Sequence, residues 1–182
     1  RAKFEIAEQL YEQFTQIQLA FPMKRLVNAL QRKGQYVQEA QQRYLDVLEH
    51  QHPLWVSASV SRIGQMYRQF SDSLYNLPMP EGLTVEQQDD YRAQLDEYAF
   101  PLQEKALSAF ERALNLSKKL QAYNRWSLLC AQAMMQLEGE RYPISIQNTL
   151  LPQPLVPNLS RLSPSRWFRE DEIESWRKMS RQ

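Results

Sequence analysis

The side chains most able to do chemistry in this 182-residue sequence are a histidine pair and a single cysteine. His50 and His52 stand beside Glu49 at a spacing that could hold a metal ion, but no further histidine exists and zinc sites use three or four protein ligands. Cys130 has no histidine near it in sequence that could activate it as a nucleophile. We predict no metal site and no cofactor, and we expect Cys130 to be a thiol packed between helices.

An acidic cluster is the other candidate for catalysis. Glu86, Asp89 and Asp90 are close enough in sequence to act as paired acid–base carboxylates. Their spacing also places them on one solvated helix face, which is the interpretation we favour. The glycines lie too far apart for a phosphate-binding loop, at Gly34, Gly64, Gly82 and Gly139. We therefore predict a protein without a catalytic site.

Composition indicates an all-α protein. Good helix formers dominate, hydrophobic residues make up 43% of the chain, and no alternating β-branched run suggests a strand. The net charge of +1 argues against nucleic acid as a partner. No apolar stretch approaches the roughly 20 residues of a membrane span, so we expect no membrane insertion.

A spaced pattern recurs along the chain: an alanine, an aromatic residue four positions later, and a small or apolar residue three further on. Its copies are Ala7/Tyr11/Phe14, Ala40/Tyr44/Val47 and Ala106/Phe110/Ala113. The first two start 33 residues apart and the third starts 66 later. A small residue lets two helices approach closely, and the aromatic residue fills the space beside it. We expect Ala40 and Ala106 to be buried where helices touch.

This pattern resembles the second helix of the tetratricopeptide repeat family, and other positions match the family's first helix. The best match is Val60, Ile63, Gly64 and Tyr67, followed by Trp126, Leu129, Cys130 and Ala133. A preceding repeat could use Met23, Leu26, Val27 and Leu30, with Gly34 and Tyr36 at the turn between its helices. One extra residue before Ala40 and a late Pro53 depart from the family pattern. The resemblance implies an α-solenoid of antiparallel helix pairs; a generic helical bundle is the alternative.

On this basis, residues 1–142 form the repeat domain. We expect the chain to open with the second helix of a truncated repeat (3–19), followed by a full repeat (about 20–51), an enlarged repeat (about 54–119) and a lone first helix (121–138). An array that starts in mid-repeat suggests a larger parent protein.

The enlarged repeat is expected to contain a long helical hairpin. Residues 54–77 fit one helix, prolines bound a turn at 78–82, and Thr84 with Gln87 forms a capping box for the next helix. Pro101 is expected to kink or restart that helix. The inner seam should place Phe70, Leu74 and Leu77 against Tyr91, Leu95 and Tyr98. The arms would project on the order of 20 Å from the array, with candidate contact residues Glu86, Asp89, Asp90 and Asp96.

Two stretches of this hairpin, residues 77–84 and 98–102, are similar to the cell-envelope tetratricopeptide proteins of Gram-negative bacteria that are linked to gliding motility or energised envelope motors. That resemblance implies a periplasmic or cell-envelope adaptor. A cytoplasmic location is the alternative.

Residues 143–182 form a proline-rich tail. The prolines stand among apolar residues, so we expect an extended segment, ending in a short amphipathic helix that starts near Glu170. Two interpretations remain open. The tail packs on the array as a cap, or it is a recognition segment for another protein.

The expected function is a non-catalytic protein–protein interaction scaffold whose concave groove binds a peptide or helix of a partner. Candidate groove residues are Lys24, Asn28, Gln31, Arg62, Gln65, Gln69, Asn124 and Arg125. The alternative is a purely structural subunit whose groove is filled by its own tail. The sequence makes no prediction about the oligomeric state.

Overall fold

A computed structural model of the protein describes residues 2–49 and 52–137. These ranges contain five helices: α1 (Ala2–Gln16), α2 (Met23–Leu48), α3 (Pro53–Tyr75), α4 (Val85–Lys119) and α5 (Arg125–Leu137). No strand forms in them, and the prediction of an all-α fold is confirmed. The tail predicted at 143–182 lies outside the described residues.

Helices α1 and α2 run antiparallel. Near the start of α1, the ring of Phe4 lies 5.6 Å from that of Tyr44, close to the end of α2. Near the end of α1, the ring of Phe14 lies 4.2 Å from the ammonium of Lys33, in the middle of α2. Contacts move backwards along α2 as α1 advances, so the two helices form a pair.

Helices α3 and α4 form a second antiparallel pair. The Ser117 hydroxyl donates to that of Ser57 at 3.3 Å, which joins the start of α3 to the end of α4. The Ser71 hydroxyl donates to the carbonyl of Ala99 at 2.9 Å, further along α3 and earlier in α4. Both hydroxyls are buried and need partners, so these bonds help to set the alignment of the two helices.

Helices α1 and α3 lie side by side and run parallel. Phe4 contacts Trp55 at a ring distance of 5.1 Å, and ten residues later Phe14 contacts Phe70 at 6.3 Å. Helix α5 extends this row, because it packs on α3 and α4 and its Trp126 ring reaches to 6.2 Å from Phe4.

The recurring alanines lie where the pairs close. Ala7, Ala40 and Ala106 are each 0% exposed, which confirms the predicted burial of the last two. The aromatic residues of the second and third copies, Tyr44 and Phe110, are also buried. The alanine-and-aromatic pattern therefore marks helix contacts, as its spacing indicates.

The predicted turn at Gly34 and Tyr36 is wrong. Helix α2 runs through both positions without a break for 26 residues. A helical glycine costs only about 1 kcal/mol relative to alanine, and Leu26 before it and Val37 after it are both buried. Because packing on both sides outweighs that cost, the predicted full repeat (about 20–51) is replaced by the single helix Met23–Leu48, which pairs with α1.

Helices α3 and α4 and the turn between them form a hairpin, while its predicted projection from the array stays a prediction. Thr84 and Gln87 make the capping box. The backbone N–H of Gln87 donates to the Thr84 hydroxyl at 3.3 Å. The backbone N–H of Thr84 donates to the side-chain oxygen of Gln87 at 3.0 Å. Helix α4 then continues for 35 residues through Pro101, so the helix does not restart there. Buried Ala99 and Ala106 hold the helix on both sides of the proline.

The seam of the hairpin differs from the prediction at two positions. Tyr98 is 68% exposed, and its neighbour Ala99 is buried instead, since Leu95 and Ala99 follow one face and Tyr98 lies about 100° away around the helix. Phe70 packs on the main core rather than in the seam. A separate small cluster contains Leu26, Leu74, Leu77 and Ala99, with Leu95 against it.

Candidate interaction surface

A network of charged and polar side chains joins α1, α2 and α3. The Arg62 guanidinium on α3 donates to both carboxylate oxygens of Glu8 on α1, at 2.8 to 3.1 Å. The hydroxyl of Tyr44 on α2 donates to the same carboxylate at 2.5 Å. Each side chain of the ion pair is 22% exposed. Such a bidentate ion pair fixes direction as well as distance. Together with the hydrogen bond from Tyr44, it aligns the three helices.

Two aromatic rings enclose the same guanidinium and bring in α5. Arg62 lies 4.4 Å from the ring centre of Tyr11 and 4.8 Å from that of Trp126. It also donates to the side-chain oxygen of Gln65 at 2.6 Å. Guanidinium stacking on aromatic faces is favourable, more so when partly desolvated. Arg62 therefore connects α1, α3 and α5, and the bond from Tyr44 to Glu8 adds α2 to the same network.

The protonation states in this network are stable around neutral pH. Burial alone would lower the pKa of Arg62, but the hydrogen bond and charge of Glu8 raise it. Burial raises the pKa of Tyr44, and the bond to Glu8 raises it further. Burial also raises the pKa of Tyr11. Arg62 therefore stays charged and both phenols stay neutral at neutral pH, and any partner carboxylate would compete with Glu8 for Arg62.

The predicted groove residues do not form one surface. Around Trp126, the structure brings together Arg62, Gln65 and Arg125, whose guanidinium lies 4.9 Å from the indole ring. A second group is exposed on α2: Lys24, Asn28 and Gln31. These residues are close in sequence to Leu26, which belongs to the separate small cluster at the hairpin. Along α3, Arg62 and Leu74 of that cluster are 12 residues apart, or about 18 Å.

The last two predicted groove residues have structural partners or intermediate burial. Asn124 caps α5, because its side-chain oxygen accepts from the amide of Trp126 at 2.9 Å. Gln69 is half-buried on α3, where its backbone carbonyl accepts a hydrogen bond from the Ser73 hydroxyl. Their role in binding a partner stays a prediction.

The predicted acidic face of the hairpin is exposed. Glu86, Asp89, Asp90 and Asp96 are all open to solvent. Asp89 pairs with Arg92 at 3.1 Å, and Asp96 hydrogen-bonds the phenol of Tyr75, on the other arm. From residue 85 to residue 98 no side chain is buried. This stretch is therefore a folded helix that adds little to the core.

Sequence analysis missed a buried lysine. Lys33 is 1% exposed; its ammonium donates to the Ser73 hydroxyl at 3.2 Å and lies over the ring of Phe14. Burial lowers its pKa to about 8. The sequence does contain a signal, because Lys33 falls on the helical stripe that includes Leu26, Leu30 and Val37.

Of the side chains first considered for chemistry, the described ones are a buried cysteine and an exposed histidine. Cys130 is fully buried, as expected, and burial raises the pKa of its thiol to about 12, so the thiol is uncharged at neutral pH. His52 is exposed and 6.5 Å from the ring of Trp55, while His50 lies outside the described residues. Within residues 2–49 and 52–137, no group of three His, Cys, Asp or Glu could hold a metal ion.

The helices of the described residues are also too short or too polar to cross a bilayer. An open cleft of about 540 Å³ lies between α1 and α2. Its lining is mostly polar: Gln13, Gln16, Ile17, Arg32, Gln35, Tyr36 and Glu39. This lining offers hydrogen bonds but no histidine or cysteine.

No protein-family model, curated protein or solved structure matches the chain.

Proposed function

We propose that this protein is a non-catalytic interaction scaffold built as a tetratricopeptide-like array of helix pairs. Two antiparallel pairs, α1/α2 and α3/α4, and the parallel row of α1 and α3 support this arrangement. So does the close approach at Gly64, where an added Cβ would lie 2.6 Å from the ring of Phe110. A small residue at this crossing allows the two helices of a pair to approach closely, as in the helix pairs of such an array.

The observation that carries the binding function is the exposed arm of the hairpin. Residues 85–98 form continuous helix without a buried side chain. Val85 and Tyr98 are 75% and 68% exposed, the highest values among the large hydrophobic residues described. A helix that contributes so little to the core is available for contacts with another protein, and its carboxylates would direct it towards a basic partner surface.

A direct test uses charge reversal on the hairpin. The variant Glu86→Lys, Asp89→Lys, Asp90→Lys is compared with a control that reverses three exposed carboxylates elsewhere, Glu12, Glu39 and Glu111. We expect only the hairpin variant to lose capture of a native partner, and the loss to be greater at low salt because surface charges are then least screened. Equal capture by both variants at low and high salt would contradict the proposal.

A second candidate function is a structural subunit without an open groove. It is favoured by Trp126, which contacts both Arg62 and Phe4 and so fills the side where α1, α3 and α5 meet. Filling of a groove by the tail concerns residues outside the described ranges. Replacing Trp126 by alanine distinguishes the candidates: a scaffold groove would bind its partner more weakly or more tightly, whereas a structural subunit would change only in stability or assembly.

We also propose a cell-envelope location, supported by the sequence resemblance at residues 77–84 and 98–102. Fractionation of the source cells with an antibody against the chain tests it. Recovery with envelope or periplasmic fractions is expected, and recovery with the cytosol would contradict the proposal.

A further inference from the structure

Helix α5 carries less charge than any other helix of the described residues. Of its 13 residues only Arg125 is charged, and no carboxylate is present. One side packs on α3 and α4 through Trp126, Cys130, Ala133 and Met134, all buried. Arg125, Gln132 and Gln136 are exposed, so the remaining side of α5 is partly polar and partly apolar.

The opposite side of α5 presents more apolar surface. Leu129 and Met135 are 41% and 46% exposed, and Leu128 and Ala131 are only half-buried.

The order of elements points to what covers α5. Each earlier odd-numbered helix packs against the helix that follows it in sequence. After α5, the chain continues with residues 138–182, and the stretch 143–156 is rich in apolar residues: Ile144, Ile146, Leu150, Leu151, Leu155 and Val156.

The connection is also long enough. Five residues, 138–142, separate α5 from this stretch, and a chain of that length spans at most about 18 Å. Helix α5 is itself about 20 Å long. A segment starting beyond residue 142 can therefore turn back and run beside the helix.

We propose that residues 143–156 cover the outward side of α5 in the same molecule, with Leu128, Leu129, Ala131 and Met135 as the docking surface. This contact closes the array at the α5 end. It does not depend on the proposed binding function, because it concerns the α5 end and not the hairpin.

Photo-crosslinking tests the contact. A photoreactive phenylalanine analogue replaces Met135 in the full chain, with a control at Ile6, which is 52% exposed on α1. Mixing light and heavy-isotope protein separates links within one chain from links between chains. We expect position 135, and not position 6, to link to residues 143–156 of its own chain. Links between chains, links to other segments, or no link would each overturn the proposal.

Hydrogen exchange gives a second measurement. In Met135→Glu, a charge enters the docking surface, and amides within 143–156 should exchange about tenfold faster than in the unaltered protein, while α1 to α4 stay unchanged. Ile6→Glu is the matched control, and it should leave the exchange of 143–156 as it was. Unchanged exchange in both variants would contradict the contact.

Discussion

The backbone of Gly64 lies directly against the ring of Phe110, so a Cβ at residue 64 would sit 2.6 Å from the nearest ring carbon. Phe110 is 1% exposed and enclosed by the main core, so its ring cannot move away freely. The contact joins α3 to α4 at the centre of the second pair. Only glycine allows the two helices to approach this closely.

Gly64→Ala should therefore destabilise the protein by about 1–3 kcal/mol through overpacking. Gly34→Ala is the matched control, because it is also mid-helix and a Cβ there would meet nothing within 4 Å; it should stabilise by about 0.5–1 kcal/mol. Denaturant unfolding of both variants gives the comparison. Equal stability of the two would show that α3 and α4 are not packed at Gly64.

The ion pair of Glu8 and Arg62 should be strongly coupled. In a double-mutant cycle with Glu8→Ala and Arg62→Ala, we expect a coupling energy of about 1–2 kcal/mol, since the pair is partly shielded from water. The exposed pair of Asp89 and Arg92 is the control, with an expected coupling below about 0.5 kcal/mol. Similar couplings for the two pairs would mean that the Arg62 network does not hold the helices in place.

Lys33 should make stability increase with pH in the alkaline range. Burial lowers its pKa from 10.5 to about 8. Between these values the unfolded chain keeps a proton that the folded protein has released, so raising the pH through this window favours folding. The full shift corresponds to about 3 kcal/mol. Above pH 10 the raised pKa values of Tyr44 and Tyr67 act in the opposite direction, so the measurement belongs between pH 8 and 10.

Replacing Lys33 by methionine removes this titration. The variant should be more stable by about 1–3 kcal/mol at pH 7, because a buried charge is replaced by an apolar chain of similar volume. Its advantage over the unaltered protein should shrink as the pH rises towards 10. Lys24→Met, at an exposed position of the same helix, should change stability by less than about 0.5 kcal/mol. If the stabilities of Lys33→Met and the unaltered protein changed in parallel with pH, Lys33 would not lose its proton in the folded protein over this range.

Removal of residues 143–182 should expose the outward side of α5. We expect the shortened protein to bind a hydrophobic dye and to self-associate, because an apolar patch becomes accessible. Light scattering and dye fluorescence measure both effects, and adding Leu129→Gln and Met135→Gln should reverse them. A shortened protein that stays monomeric and equally stable would favour the interpretation of the tail as a free recognition segment.

Local features were predictable where one short stretch of sequence contains the whole cause. The capping box of Thr84 and Gln87 formed because both partners lie within four residues. Burial of Ala40 and Ala106 followed from helical periodicity, which places small and aromatic residues on one face. The exposure of Asp89 and Asp90 followed from the run of polar and charged residues at 86–90.

The sequence by itself determined the helical class, the helix contact faces and the capped hairpin, because these depend on neighbours three or four positions away. Only the tertiary structure decided that α2 continues through Gly34, because packing at both of its ends outweighs the cost of one glycine. It also decided that Arg62 binds Glu8, 54 residues away in sequence, between Tyr11 and Trp126. Pairing over such distances depends on how helices stack in three dimensions, and local periodicity contains no record of it.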